Sequence, residues 1–222
     1  MSEKFAEDVA ILKSSLANLP IEWEGKASIL TLKEAKYNSG QTEWWAFFFE
    51  HLCFSALGNN FAVPGDKYGR TRFDMKRNVN WDLKAKAIKS DDHTAILNDK
   101  AAMEASVQQY GEHGLAVALC DVEYNDINRT FEQWHTKLKG GKSRYQRARE
   151  LRTNVSRYRK THATLTEILF LKFEPHDLPH LGTMRQGRNS NGRPRPEKYT
   201  LNLEKVAPFL VDRLVFAPLD AE

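Results

Sequence analysis

Apolar and polar residues alternate in two short runs near the middle of the chain. Phe73 and Met75 alternate with Asp74 and Lys76; beyond Asn78-Val79-Asn80, Trp81, Leu83, Ala85 and Ala87 alternate with Asp82, Lys84 and Lys86. A period of two gives a strand one apolar and one charged face, so residues 72–89 read as two strands joined by a tight turn. Upstream the period is helical. Val9, Leu12 and Leu16 predict a helix over residues 5–18, closed by Leu19-Pro20. Residues 21–37 are open, with 29–32 a short strand or the start of a helix. A stronger helix follows Ser39-Gly40, with Thr42 as its cap, Trp44, Trp45, Phe47, Phe48, Leu52 and Leu57 as its apolar surface, and Gly58 as its end. Phe61-Ala62-Val63 reads as a strand and Pro64-Gly65-Asp66 as a turn.

After the hairpin, Asp91-Asp92-His93 reads as a loop. Residues 98–110 read as a helix capped by Asn98, with Met103, Val107 and Tyr110 in one stripe and Gly111 at its end. Residues 115–124 begin as an unbroken apolar run, which suits a strand buried on both faces inside a mixed or parallel sheet. Strand, hairpin, helix and buried strand predict an α/β fold with a central mixed sheet flanked by helices. Downstream, Ser143 opens a helix expected from Arg144 to about His162, with Tyr145, Ala148, Leu151 and Val155 on its apolar side. Residues 165–173 read as another buried strand. Residues 175–198, rich in Gly, Pro, Asn and Arg, show no period and read as a long loop. A strand over 199–203 and a short helix or irregular segment over 204–214 complete the chain.

Composition narrows the class. The 222 residues suit one domain, with an N-terminal α/β part (1–136) and a basic C-terminal extension (137–222). No apolar run approaches the roughly 18–20 residues that span a bilayer, and the charged start Met1-Ser2-Glu3-Lys4 has no signal-peptide core. The expectation is a cytoplasmic protein with no membrane partner, its Cys53 and Cys120 buried free thiols. The net charge of +4 is modest but uneven. Between residues 137 and 160 lie Lys137, Lys139, Lys142, Arg144, Arg147, Arg149, Arg152, Arg157, Arg159 and Lys160, with Glu150 the only acid.

The hairpin carries the candidate chemistry. Asp82 and Lys84 project from one face of the second strand, and the turn brings Asp74 beside them. Carboxylates so close repel unless a cation lies between them, and a divalent ion with oxygen ligands suits the position. The lysine would then hold a water or a phosphate oxygen.

Asp74, followed by Asp82-Leu83-Lys84, resembles the signature of the PD-(D/E)XK nuclease superfamily: an acid on one strand, then acid-x-Lys on the next. Phe73 stands where the name-giving proline would be. The order of helix, strand, hairpin, helix and buried strand is also that superfamily's, and the resemblance covers roughly residues 43–124. It implies a restriction-endonuclease-like core and a glutamate on the helix before the hairpin. Glu43 and Glu50 compete for that role. They are seven residues apart, about 10.5 Å along a helix, so both cannot reach one metal cluster. Glu50 is favoured, because E-H-L-C-F-S-A-L-G-N-N-F resembles the superfamily's glutamate, apolar half-helix, glycine and strand.

By the same resemblance, Asp74, Asp82, Glu50 and the Leu83 carbonyl would hold Mg²⁺. Asp74, Asp82, Lys84 and Glu50 would form the catalytic set that hydrolyses DNA phosphodiesters, leaving 5′-phosphate ends. A type II restriction endonuclease fits best, working as a homodimer on palindromic double-stranded DNA. Arg144, Arg147 and Arg152 supply phosphate contacts. Arg185, Gln186, Arg188, Asn189, Asn191, Arg193 and Arg195 are residue types that read base edges. The rival readings are a structure-selective repair or junction-resolving nuclease of the same fold, a DNA-binding protein without catalysis, and an RNA-binding protein. His176-x-x-x-His180 has metal-ligand spacing, but the adjacent prolines break any helix there, so zinc is not expected. Neither a Walker A nor a G-x-G-x-x-G pattern is present.

Overall fold

The apolar run that begins at His113 forms the strand against which the rest of the molecule is laid. The computed structural model describes residues 1–64, 73–88, 93–142, 146–147, 151, 158–188 and 192–216. Its helices are α1 (Glu3–Leu16), α2 (Gly25–Glu34), α3 (Trp44–Leu57), α4 (Lys100–Tyr110) and α5 (Thr130–Leu138). Its strands are β1 (Glu22–Glu24), β2 (Met75–Lys76), β3 (Asn80–Ala87), β4 (Thr94–Asp99), β5 (His113–Glu123), β6 (His162–Phe173), β7 (Gly182–Arg185), β8 (Glu197–Asn202) and β9 (Leu210–Val215).

The fold is α/β with a mixed central sheet and flanking helices. The sheet runs β1-β6-β5-β3-β2, and β9 shares with β1 the far edge of β6. β3 and β5 are parallel; the other pairs in this sheet are antiparallel. A parallel pair needs a crossover, and here β4 and α4 supply it. A second sheet, β4-β8-β7, is antiparallel.

Alternate residues of β5 build two cores. Ala116, Ala118 and Cys120 face α1, α2, α3 and α5, together with Trp81, Leu83, Phe49 and Trp23. Leu115 and Val117 face α4 and the small sheet, against Met103, Val107, Leu97 and Leu201. The central strand is therefore apolar on both sides, as its sequence predicts. The aromatic residues Trp44, Trp45, Phe48 and Phe49 of α3 are buried in the first core, so they are not surface for an interface. Cys53 and Cys120 are buried and free. Among the described residues no helix is long and apolar enough to cross a membrane.

One buried carboxylate holds the hairpin of β2 and β3. Asp8 of α1 is fully buried and accepts hydrogen bonds from Arg77 Nη1 (3.0 Å), Asn78 Nδ2 (2.8 Å) and Trp81 Nε1 (3.1 Å). The backbone N–H groups of Asn78 (3.2 Å) and Val79 (3.3 Å) also donate to it. The Trp81 indole lies 4.9 Å from the Phe5 ring and over Gly114, where a Cβ would come within 2.3 Å of it. Glycine at 114 is what lets the indole lie flat on β5.

Several sequence expectations are corrected. Residues 29–32 are helical, within α2. Thr42 does not cap α3; Glu43 takes the cap position without a capping bond. Residues 61–63 make only the single bridge between Ala62 and Lys76. Asn98 is in β4, and α4 starts after Asp99. The helix expected to reach His162 does not: residues 158–160 are in no helix or strand and His162 opens β6. Most of that helix, Arg144 and Arg152 included, lies outside the described residues. Part of the expected loop 175–198 is strand, because β7 pairs with β8 as a hairpin whose arms meet again at Arg188 and Pro194. The segment 204–214 ends in β9 rather than a helix.

Candidate active site

The candidate site wraps the outer edge of β3, where β2 stops after two residues. The backbone N–H of Asp74 donates to the Trp81 carbonyl at 3.0 Å. One residue further along the ladder, Asp74 substitutes its side chain for a backbone acceptor, and Leu83 N donates to its Oδ2 at 2.7 Å. The carboxylate is thereby fixed at the point where the two strands part.

Lys84 Nζ donates to the Leu83 carbonyl (2.9 Å) and lies 3.4 Å from Asp74 Oδ2. Asp82 is buried, on the face toward α4. Its carboxylate accepts from Asn98 Nδ2 (2.8 and 3.1 Å) and meets His113 Nε2 at 3.0 Å. Glu50 approaches from the opposite side of the sheet, on α3, and accepts from the Tyr37 hydroxyl at 2.6 Å. Asp74, Lys84 and Glu50 are partly exposed, so the cluster opens to solvent on their side.

The four charged groups act on one another. The Glu50 carboxyl is raised to about 7, chiefly by burial and also by the negative charges of Asp74 and Asp82, against the Tyr37 hydrogen bond and the Lys84 charge. Burial likewise raises Asp74, with Lys84 opposing and Asp82 assisting. Burial pushes Asp82 up too, but the charge of Lys84 and the hydrogen bonds from His113 and Asn98 bring it below the ordinary carboxylate value. Burial lowers Lys84, yet the charges of Asp74, Asp82 and Glu50 hold it above the ordinary lysine value. Lys84 is thus an ammonium ion at neutral pH and unsuited to act as a base.

Glu43 stands apart from this cluster. It pairs with Lys160 and accepts from Trp45 Nε1 at 3.0 Å. Burial raises its carboxyl, but Lys160 brings it below its usual value.

The donor set is oxygen: three carboxylates and, at Leu83, a carbonyl. That is the chemistry of a hard dication. The spacing is wider than a closed ligand shell. Among the described residues the only group of three or more His, Cys, Asp or Glu with ligand atoms within 4.8 Å of one another is Glu174, His176 and Asp177. That trio is an acid-rich turn in which Glu174 already pairs with Lys172 (2.9 Å) and Asp177 caps the Glu174 N–H (2.8 Å). A wide oxygen set with solvent access suits Mg²⁺, which keeps several waters and takes one or two carboxylates. Lys84 now bridges two of these donors, Asp74 and the Leu83 carbonyl, as a monovalent cation.

The expected DNA-contacting residues divide. Arg185, Arg188, Arg193 and Arg195 are exposed on the hairpin of β7 and β8, with Gln186 half-buried beside them. Arg185 lies 3.5 Å from Glu197, Arg188 Nη1 donates to the Gly192 carbonyl (2.8 Å), and Arg195 Nη1 lies 3.5 Å from Gln186 Oε1. Asn189 and Asn191 lie outside the described residues; Arg147 is exposed. Arg159 and Lys160 are tied down, by Glu132 (2.8 Å) and Thr42 (3.0 Å) for Arg159 and by Glu43 for Lys160.

The hairpin and the acidic cluster meet at β4. Asp99 pairs with Lys198 in register and the two side chains bond at 2.6 Å. The adjoining β-bulge between Ile96 and Asp99 turns Asn98 toward Asp82, the re-aiming that bulges provide. Asn98 and His113 are absent from the sequence-derived site. Only the pairing of β4 with β8, and of Asn80 with His113 across β3 and β5, brings them to Asp82. No family model, curated protein or solved structure matches this chain.

Proposed function

We propose that the chain is a Mg²⁺-dependent, sequence-specific endonuclease of the type II restriction kind, cutting double-stranded DNA as a homodimer. The observation that carries the reading is the cluster of Glu50, Asp74, Asp82 and Lys84 at an open strand edge, beside an arginine-bearing hairpin. Three acids lean on a single ammonium, and two of them, Glu50 and Asp74, are raised above their ordinary values. Carboxyls perturbed by burial and by one another in an accessible position are characteristic of sites that bind or react.

Asp74, Asp82, Glu50 and the Leu83 carbonyl would hold Mg²⁺. Bound there, Mg²⁺ supplies an acidified water and charge neutralisation at the phosphoryl group. The chain's own residues do the rest. Lys84 has three N–H groups, and Asp74 and Leu83 engage two. Its side chain is 29% exposed, and once those two acceptors held Mg²⁺ the ammonium would be free to hold a phosphate oxygen or orient the attacking water. The arginines of the β7–β8 hairpin contact the duplex next to the cut, and the segment around Arg147 contributes phosphate affinity.

The test is digestion of plasmid and phage DNA with and without Mg²⁺, alongside Asp82→Ala and Lys84→Ala. Discrete fragments that vanish with EDTA and in both variants are expected, with DNA binding retained by the variants. A smear or nicks alone would replace the reading with a structure-selective nuclease. Salt-sensitive binding without cleavage would leave only a nucleic-acid-binding protein, and wild-type cleavage by either variant would remove the site assignment.

A further inference from the structure

Behind Asp82 lies a chain of buried polar side chains that the catalytic reading does not use. Asn80 Nδ2 donates to Ser106 Oγ at 3.0 Å, Ser106 Oγ meets His113 Nδ1 at 2.9 Å, and His113 Nε2 meets Asp82 Oδ2 at 3.0 Å. Asn80, Ser106, His113 and Asp82 are all at least nineteen-twentieths buried, with His113 at 1% exposure. They come from three elements, β3, α4 and β5. Four polar groups in an apolar layer beside Leu115 and Met103 cost stability unless each is satisfied, so their arrangement calls for a reason other than packing.

We propose that His113 is a positioning residue for Asp82: its Nε2–H orients the carboxylate, and Ser106 and Asn80 fix the proton on that nitrogen. The proposal rests on Asp82 belonging to the metal-binding set. The direction of the chain follows from donor counting. Asp82 is an anion and can only accept, so Nε2 carries the hydrogen. In the neutral ring Nδ1 is then the acceptor, so the Ser106 hydroxyl donates to it. The Ser106 lone pair in turn receives Asn80 Nδ2–H, and among the described residues Asn80 Oδ1 is left without a partner. Rotating the Asn80 amide to satisfy Oδ1 would claim the Ser106 proton, turn Nδ1 into a donor and leave Nε2 with nothing to give Asp82.

Asn98 completes the arrangement from the other side, at 2.8 Å and 3.1 Å. Held by both, Asp82 keeps one rotamer while the exposed side of the cluster exchanges cation and substrate. Partners of this kind change metal affinity by about 10- to 100-fold when removed.

The experiment combines two readouts. In metal-free protein, ¹⁵N–¹H spectra of the imidazole are expected to show His113 protonated at Nε2 alone, and Ser106→Ala to give a mixture of tautomers. Calorimetric titration with Mg²⁺ is expected to show binding weakened about 10-fold or more in His113→Leu and restored largely by His113→Gln, whose Nε2 amide can donate from a similar position. A ring protonated at Nδ1, or Mg²⁺ binding as tight in His113→Leu as in the wild type, would overturn the proposal. If His113→Leu does not fold, Ser106→Ala decides it: an unchanged imidazole spectrum there is the overturning result. Absence of Mg²⁺ binding in the wild type would instead remove the metal-site reading, while the spectrum still reports whether His113 donates to Asp82.

Discussion

Glu50 concentrates the electrostatic cost of the candidate site. Its carboxyl is raised from the ordinary 4.5 to about 7, first by burial and then by Asp74. A carboxyl raised by folding binds its proton more tightly in the native state. The stability it contributes is complete below the unfolded value and is lost as pH rises through the folded one. Between pH 5 and 8, metal-free protein should lose about 2–3 kcal/mol through this group, at about 1.4 kcal/mol per unit. His51 and His135, lowered mainly by burial, slope the other way, so the comparison must be with Glu50→Gln. Urea denaturation at both pH values should find Glu50→Gln more stable than wild type at pH 8 and nearly equal at pH 5. Equal stabilities at pH 8 would mean that Glu50 is not strained in the folded protein. The same variant should not cleave DNA.

The acidic part of this cluster was legible because its signal is local. Asp74, Asp82 and Lys84 occupy one hairpin, and a two-residue period states which of them share a face. Glu50 was legible through its helix, whose glycine end at Gly58 fixes its distance from the hairpin. His113 was not. In the sequence it is a lone histidine between a helix-ending glycine and an apolar run. It becomes a partner of Asp82 only when β3 and β5 pair in parallel, a contact that skips over β4 and α4. Asn98 was read as a helix cap because Asn suits that position, whereas a bulge in β4 uses it differently.

At the scale of elements, the placement of the hairpin depends on α1. The Asp8 carboxylate gathers the 77–79 turn and the Trp81 indole, and Trp81 rests on Gly114. Asp8→Ala would leave buried donors unpaired and the Arg77 guanidinium without its buried partner, at about 3 kcal/mol or more. Gly114→Ala would drive a methyl into the indole ring, and an overpacked core typically costs about 1–3 kcal/mol. Both changes should lower the melting temperature, and Gly114→Ala should also shift the Trp81 environment in near-ultraviolet circular dichroism. Neither residue touches the acidic cluster. A variant that stayed folded and yet lost Mg²⁺ binding would show that the hairpin's tilt, rather than its ligands alone, sets the site. The β7–β8 hairpin was illegible for a different reason. Its Gly, Pro and Arg content hides the alternation of a strand, and the pairing is stabilised by β4 from elsewhere in the chain. The helix α5 has only nine residues and a single strong apolar stripe, too short a run to stand out beside the basic segment that follows.

At the scale of the whole molecule, arginines are gathered on the β7–β8 hairpin and, in the sequence, around Arg147. Under the nuclease reading the two should separate experimentally. Replacing Arg185, Arg188, Arg193 and Arg195 with alanine should abolish fragment specificity and reduce, without eliminating, salt-dependent binding. Each lost phosphate contact would flatten the slope of log affinity against log salt by about 0.9. Unchanged fragments would exclude the hairpin from base reading. Sedimentation of wild type should show the dimer that a palindromic site requires; a monomer that cuts both strands at discrete sites would call for a different symmetry.

The contact between Lys84, Asp74 and the Leu83 carbonyl has one further consequence. An acidic cleft that depended on a dication to neutralise it would fold only where that ion was present. Here the chain brings its own counterion, tethered one residue from the carbonyl it occupies. Under the nuclease reading, assembly and arming would be separate events: the protein should reach its native shape in the presence of a chelator and be switched on afterwards, when the ammonium yields its place and turns to the substrate.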